Sequence, residues 1–150
     1  MDKKVTMKSL NFTLEPDVYP VFIDVIFTND YEERDEFFKK VTGQKDLQTR
    51  PPSNGSLHVY ENHFLLHFEI KDYSLSQYAG LIAHEATHTS WYIERELGDM
   101  FDNNIQEPQC YLIQYLTQNI LFKWMEHLEI RLQKYGLLDE GNDAIKKEGN

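Results

Sequence analysis

Between residues 75 and 97 the apolar side chains Leu75, Ala79, Ile82, Ala86, Ile93 and Leu97 recur at helical spacing, and Gly98 follows as a stop signal. That stripe commits 23 residues to one amphipathic helix with one face to bury. A second helix is expected to begin near Glu107-Pro108, where proline's missing N–H costs least, and to run to about Tyr135 before Gly136. Two long helices close in sequence, joined by a short connection, pack as antiparallel neighbours.

The segments ahead of them have a different character. Residues 5–14 and 18–28 are rich in β-branched and aromatic side chains and are separated by Glu15-Pro16-Asp17, so they read as two strands. Asp30 to Thr42 is heavily charged with Phe37, Phe38 and Val41 on one side, the pattern of a short amphipathic helix ending at Gly43. Gln44 to Gly55 reads as the long loop. Ser56 to Tyr60 and Phe64 to Ile70 read as a hairpin around Glu61-Asn62-His63. Strands followed by two long helices predict an α+β domain, with a small sheet of three or four strands packed on the first long helix and the second behind it. One domain over residues 1–138 is expected, with a polar tail from Asp139 to Asn150.

Composition narrows the partners. Fifteen Lys and Arg stand against 25 Asp and Glu, a formal net charge of −10. Such a surface repels phosphate backbones and anionic lipids, so nucleic acid and membranes are not the expected partners. The charge says nothing against a protein partner or a cationic peptide. No apolar run approaches the ~20 residues of a membrane span, and Met1 to Lys8 lacks the apolar core of a signal peptide. The lone Cys110 fits synthesis in a reducing cytoplasm, and its apolar helical surroundings predict a buried thiol.

The chemistry-bearing motif lies on the first long helix: His84-Glu85-Ala86-Thr87-His88. Helical residues four apart project within about 40° of each other, so His84 and His88 present two imidazoles toward one point. That is the support a tetrahedral zinc needs. His84 lies roughly 200° around the axis from Ala86, so the histidines face away from the core contact. Glu85 sits beside that face, where a carboxylate can take a proton from a water acidified by zinc. Three further histidines, His58, His63 and His67, fall in the hairpin and read as strand-face or turn side chains satisfied by neighbours, with a second metal site on a face shared by His63 and His67 as the alternative. Tyr111, Tyr115, Phe122 and Trp124 read as core or helix-packing surface.

Eighteen residues separate His88 from Glu107. This HExxH-x18-E pattern resembles the gluzincin zinc metallopeptidases, in which a glutamate on the following helix completes the metal site. Glu107-Pro108-Gln109-Cys110-Tyr111-Leu112 is similar to a segment of small peptidase-like proteins encoded by tailed bacteriophages. The resemblance covers residues 81–116. It implies a minimal zincin-like fold, Zn2+ held by His84, His88 and Glu107, and hydrolysis of a peptide bond with Glu85 as general base. It also implies synthesis in a bacterial host, with other phage structural proteins and the virion as expected company. A peptide substrate would pair along residues 64–70 as an edge strand.

Departures from the pattern are specific. Many gluzincins place Asp four residues after the ligand glutamate, where this chain has Tyr111. Support for the ligands is therefore expected from Tyr111, Asp99 or Asp102. Gln106 and Cys110 stand where the phage pattern has Asn and Ala. Only 43 residues follow Glu107, where larger peptidases build a second lobe carrying the oxyanion-stabilising group. Tyr115, His127, Arg131 and Tyr135 are the residues available for that role, and spacing selects none of them. The alternative expectation is a non-catalytic structural or interaction protein of a phage particle that keeps the fold.

Overall fold

The computed structural model describes residues 8–17, 19–45, 55–97 and 107–134, with the side chains of the last helix described from Pro108 to Glu129. Chain order is β1 (Leu10–Leu14), β2 (Phe22–Phe27), α1 (Tyr31–Thr42), β3 (Gly55–Tyr60), β4 (His63–Phe68), α2 (Leu75–Leu97) and α3 (Glu107–Lys134). The class is α+β, as the sequence predicts. The expected loop before Gly55, the connection between α2 and α3 and the tail lie largely or wholly outside the described residues.

The four strands form one mixed sheet in the order β1-β2-β4-β3. β1 pairs antiparallel with β2, β2 runs parallel to β4, and β4 pairs antiparallel with β3 through the two-residue turn at Glu61-Asn62. One sequence expectation is corrected here. β4, which covers the segment expected at the edge, is an interior strand bonded on both sides, and β3 forms the edge. The run Phe64 to Phe68 is buried at every position. That is the mark of a strand covered on both faces, whereas an edge strand exposes part of its length.

Strand alternation divides these residues between two layers. Ile23, Val25 and Phe27 of β2 and Phe64, Leu66 and Phe68 of β4 join Tyr78, Ile82, Ala86 and Ile93 of α2 and Leu112, Leu116, Ile120 and Trp124 of α3 in the main core. Ile26 and Leu65 point to the other face, where Phe38, Phe37 and Val41 of α1 cover them. Local chemistry delimits the helices. The Asp30 carboxylate caps α1 by accepting from the amides of Glu32 and Glu33, and Gly43 closes it at φ 72° with its N–H on the Lys39 carbonyl. At α2, Ser74 and Gln77 cap each other: the Gln77 amide donates to Ser74 Oγ, and the Ser74 amide to Gln77 Oε1.

α2 and α3 run antiparallel. Trp124, late in α3, lies against Tyr78, early in α2, at 5.3 Å between ring centroids. Gln109, at the start of α3, donates to Glu94 near the end of α2. The α3 residues that reach the core fall four apart, at Leu112, Leu116, Ile120 and Trp124. Two further expectations are corrected by that register. Cys110 is exposed, because it lies about 200° around the helix from Leu112. Of the aromatic row, only Trp124 is fully buried; Tyr111 is 66% and Phe122 60% exposed. Among the described residues no helix is long and apolar enough to cross a membrane.

The face under α1 carries a polar layer. Asp24, fully buried on β2, accepts from Thr13 Oγ1 at 2.7 Å and pairs with His63 Nδ1 at 2.8 Å. His67, also fully buried, donates from Nε2 to the Thr28 carbonyl at 2.8 Å, which leaves Nδ1 as the lone-pair nitrogen. His58 lies 3.0 Å from Ser56 Oγ. His58 and His63 thus have neighbouring partners, as expected, whereas His67 is bonded through Nε2 alone and its buried Nδ1 has no hydrogen-bond partner among the described residues. Burial, reinforced by the Arg34 cation, holds the His67 imidazole below its ordinary value against the opposing pull of the Thr28 carbonyl. The unfolded chain therefore takes up this proton at a higher pH than the folded one. The contribution is fully present above the unfolded value of about 6.5 and is lost as pH falls below it. We expect the urea midpoint to fall between about pH 7.5 and about pH 5.5, and to fall less in His67→Gln. An equal fall in both proteins would assign the acid sensitivity to other groups.

Candidate functional site

The helix that carries the motif is anchored by its buried side. Tyr78, Ile82, Ala86, Thr89 and Ile93 face the core, which turns His84 and His88 outward. Both histidines are half-buried at most, on the side of α2 away from the main core contact. Their Nε2 atoms stand 3.1 Å apart, with the rings nearly perpendicular at 78°. Two nitrogens on one tetrahedral zinc, each ~2.0–2.1 Å from the ion, stand about 3.3 Å apart. The two nitrogens therefore stand close to the separation a shared ion requires, and an imidazole N–H can donate from one ring to the other.

Glu85 lies on the inner side of that pair. It is only 6% exposed, and its carboxylate presses on the start of the edge strand: a Cβ placed on Gly55 would come within 3.0 Å of Oε1 and 3.2 Å of Cγ. Glycine at this position lets β3 approach the helix closely enough to cover the carboxylate. Burial raises the Glu85 carboxyl above its ordinary value, and the two imidazoles pull the other way. A cleft of about 590 Å³ opens beside it, bounded by Gly55, Tyr73, Gln77, Leu81, His84 and Glu85.

Trp91, one turn beyond His88, meets that ring edge-on at 5.8 Å and is 56% exposed. Neither Gly55 nor Trp91 stands out in the sequence. Trp91 was findable, because it lies three residues past His88 and hence on the same helix face. Gly55 was not, because only the packing of the sheet on α2 brings it against Glu85, far along the chain.

No family model, curated protein or solved structure matches this chain.

The other site residues expected from the sequence are distributed as follows. His84, Glu85 and His88 come together. Glu107 opens α3, two residues ahead of Gln109, which touches Glu94; the Glu107 side chain is outside those described. Glu94 lies six positions past His88, about 9 Å along the helix axis. Among the described residues no group of three His, Cys, Asp or Glu side chains is arranged to hold a metal ion. Tyr111 lines a separate groove with Pro16 and Asp17, as does Tyr115. Asp99, Asp102 and Tyr135, and the side chain of Arg131, lie outside the described residues. His127 stacks on Trp124 and reaches the Lys8 carbonyl at 3.1 Å.

Proposed function

We propose that the chain is a zinc-binding, metallopeptidase-like protein of minimal zincin type, with His84 and His88 as metal ligands and Glu107 as the third. The observation that carries this reading is the 3.1 Å approach of the two Nε2 atoms on an outward helix face, beside a covered carboxylate. Bound zinc supplies Lewis acidity, acidifying water and polarising a carbonyl. Glu85 accepts the proton of the attacking water and passes it to the leaving amine. Its burial makes it a stronger base than an exposed carboxylate. The cleft along Gly55 and Leu81 receives the peptide.

The test is zinc per chain, by elemental mass spectrometry on protein purified without added metal. About one zinc per chain is expected in the wild type. The His84→Ala/His88→Ala protein should hold almost none while keeping its fold by circular dichroism. Glu107→Gln should weaken zinc by at least about tenfold if that carboxylate is the third donor. A metal-free wild type in zinc-supplemented buffer would sink the reading.

A second reading is a non-catalytic structural or interaction protein, including a component of a phage particle. The outward aromatic and apolar side chains of α3, Tyr111, Phe122 and Met125, favour it as surface available to a partner. A zinc-loaded wild type that cleaves no peptide, with Glu85→Gln indistinguishable in every assay, is the result that would select it.

A further inference from the structure

A second concavity, sharing no lining residue with the cleft at Glu85, lies between the turn that joins β1 to β2 and the first half of α3. Its volume is about 540 Å³, and its walls include Pro16, Asp17, Tyr19, Pro108, Tyr111 and Tyr115. Three tyrosines and two prolines make it an aromatic groove, and its size falls within the range of specific ligand sites. Tyr111 and Tyr115 stand one turn apart on α3, Tyr111 largely exposed and Tyr115 half-buried. Tyr19 is nearly buried on the opposite side.

Charge selects the occupant. Asp17 is exposed at the rim, and among the described residues no Lys or Arg lines the groove. A second carboxylate, Glu94, acts on the same tyrosine: burial first, and then the Glu94 charge, raise the Tyr19 phenol above its ordinary value. The whole chain carries a formal net charge of −10. Aromatic faces beside carboxylates attract cations, and a planar guanidinium stacks on such faces while donating in a fork to a carboxylate.

We propose that this groove binds an arginine-bearing peptide segment of a partner protein, with the guanidinium against Tyr111 and Tyr115 and paired with Asp17. The groove exceeds what one side chain fills, so residues flanking the arginine lie along Pro16 and Pro108. Such a segment adds affinity through its extended backbone as well as its charge.

The experiment is an NMR titration of the full chain with the blocked peptide acetyl-Gly-Arg-Gly-amide and with its citrulline counterpart, which keeps the shape and loses the charge. The arginine peptide should bind at least about tenfold more tightly than citrulline, with shifts centred on Asp17, Tyr111 and Tyr115. Asp17→Asn and Tyr111→Ala, both at exposed positions, should each weaken it by about three- to tenfold. Equal binding of the two peptides overturns the proposal, as does wild-type affinity in either variant or no binding of the arginine peptide at millimolar concentration. Asp17→Asn lies between β1 and β2, on neither of the helices that carry His84, Glu85, His88 and Glu107, so its outcome is independent of the zinc reading.

Discussion

On the proposed zinc-peptidase reading, Glu85→Gln protein should keep its zinc and hydrolyse peptide bonds at least about 10²-fold more slowly than wild type, because a general base contributes typically about 10²–10⁴ to the rate. Glutamine preserves the shape of the side chain against Gly55 and Leu81 but cannot take a proton. The measurement is cleavage of an unfolded protein substrate by zinc-loaded wild type and variant, with metal content determined on the same samples. Undiminished cleavage by the variant would remove Glu85 from the mechanism.

The same substitution has an opposite effect on the metal-free fold. Burial raises the Glu85 carboxyl, so the folded chain holds its proton to a higher pH than the unfolded chain does. Stability is therefore lost as pH rises from the unfolded value through the folded one. As pH rises through the folded value the wild type must ionise a covered carboxyl, and Glu85→Gln has none to ionise. We expect a higher melting temperature for the metal-free variant at about pH 7 and a smaller difference near about pH 4.5. An activity loss paired with a stability gain is the signature of a side chain held in a costly place for its chemistry.

The second large effect lies in the core. Trp124→Ala should cost about 3–5 kcal/mol, a substantial part of what a domain of this size has to lose. Trp124 is fully buried and stacks face to face on Phe27, with centroids 4.2 Å apart and planes within 5°. It also touches Tyr78, so one side chain joins β2, α2 and α3. Equilibrium urea unfolding measures the loss. Trp91→Ala, at a mostly exposed position, should change stability by no more than about 0.5 kcal/mol. A comparable loss from both substitutions would contradict the packing described.

These two tryptophans show where reading the chain runs out. Both sit in long helices rich in apolar residues, and composition marks both as candidates for packing. Trp124 is in the core because it continues the four-residue stripe of Leu112, Leu116 and Ile120. Trp91 falls outside the stripe of Ile82, Ala86 and Ile93 and faces water beside His88. Where a helix has one apolar stripe, as α2 does, its buried face can be read directly. α3 has apolar side chains on several faces, so the sequence reading buries Cys110 and places Tyr111 and Phe122 in the core or on a helix-packing surface, and all three are exposed. Contact with α2 and the sheet, and no property of α3 alone, selects its inner face.

Local signals were sufficient for the element order. The break at Glu15-Pro16-Asp17, the charged helix start at Asp30, the stop at Gly43 and the proline start at Glu107-Pro108 act within a few residues, and each coincides with an observed boundary or turn. The convergence of His84 and His88 was likewise legible, because helical geometry alone brings residues four apart together. Tertiary structure decided what depends on contacts distant in sequence: that β4 is interior and β3 the edge, that Gly55 covers Glu85, and that Asp17 and Tyr19 meet Tyr111 and Tyr115 across a groove. A repeat of about 3.6 or 2 residues states which face of an element is apolar. It carries no information on which neighbour that face will meet, and the neighbour sets the surroundings of every candidate site side chain here.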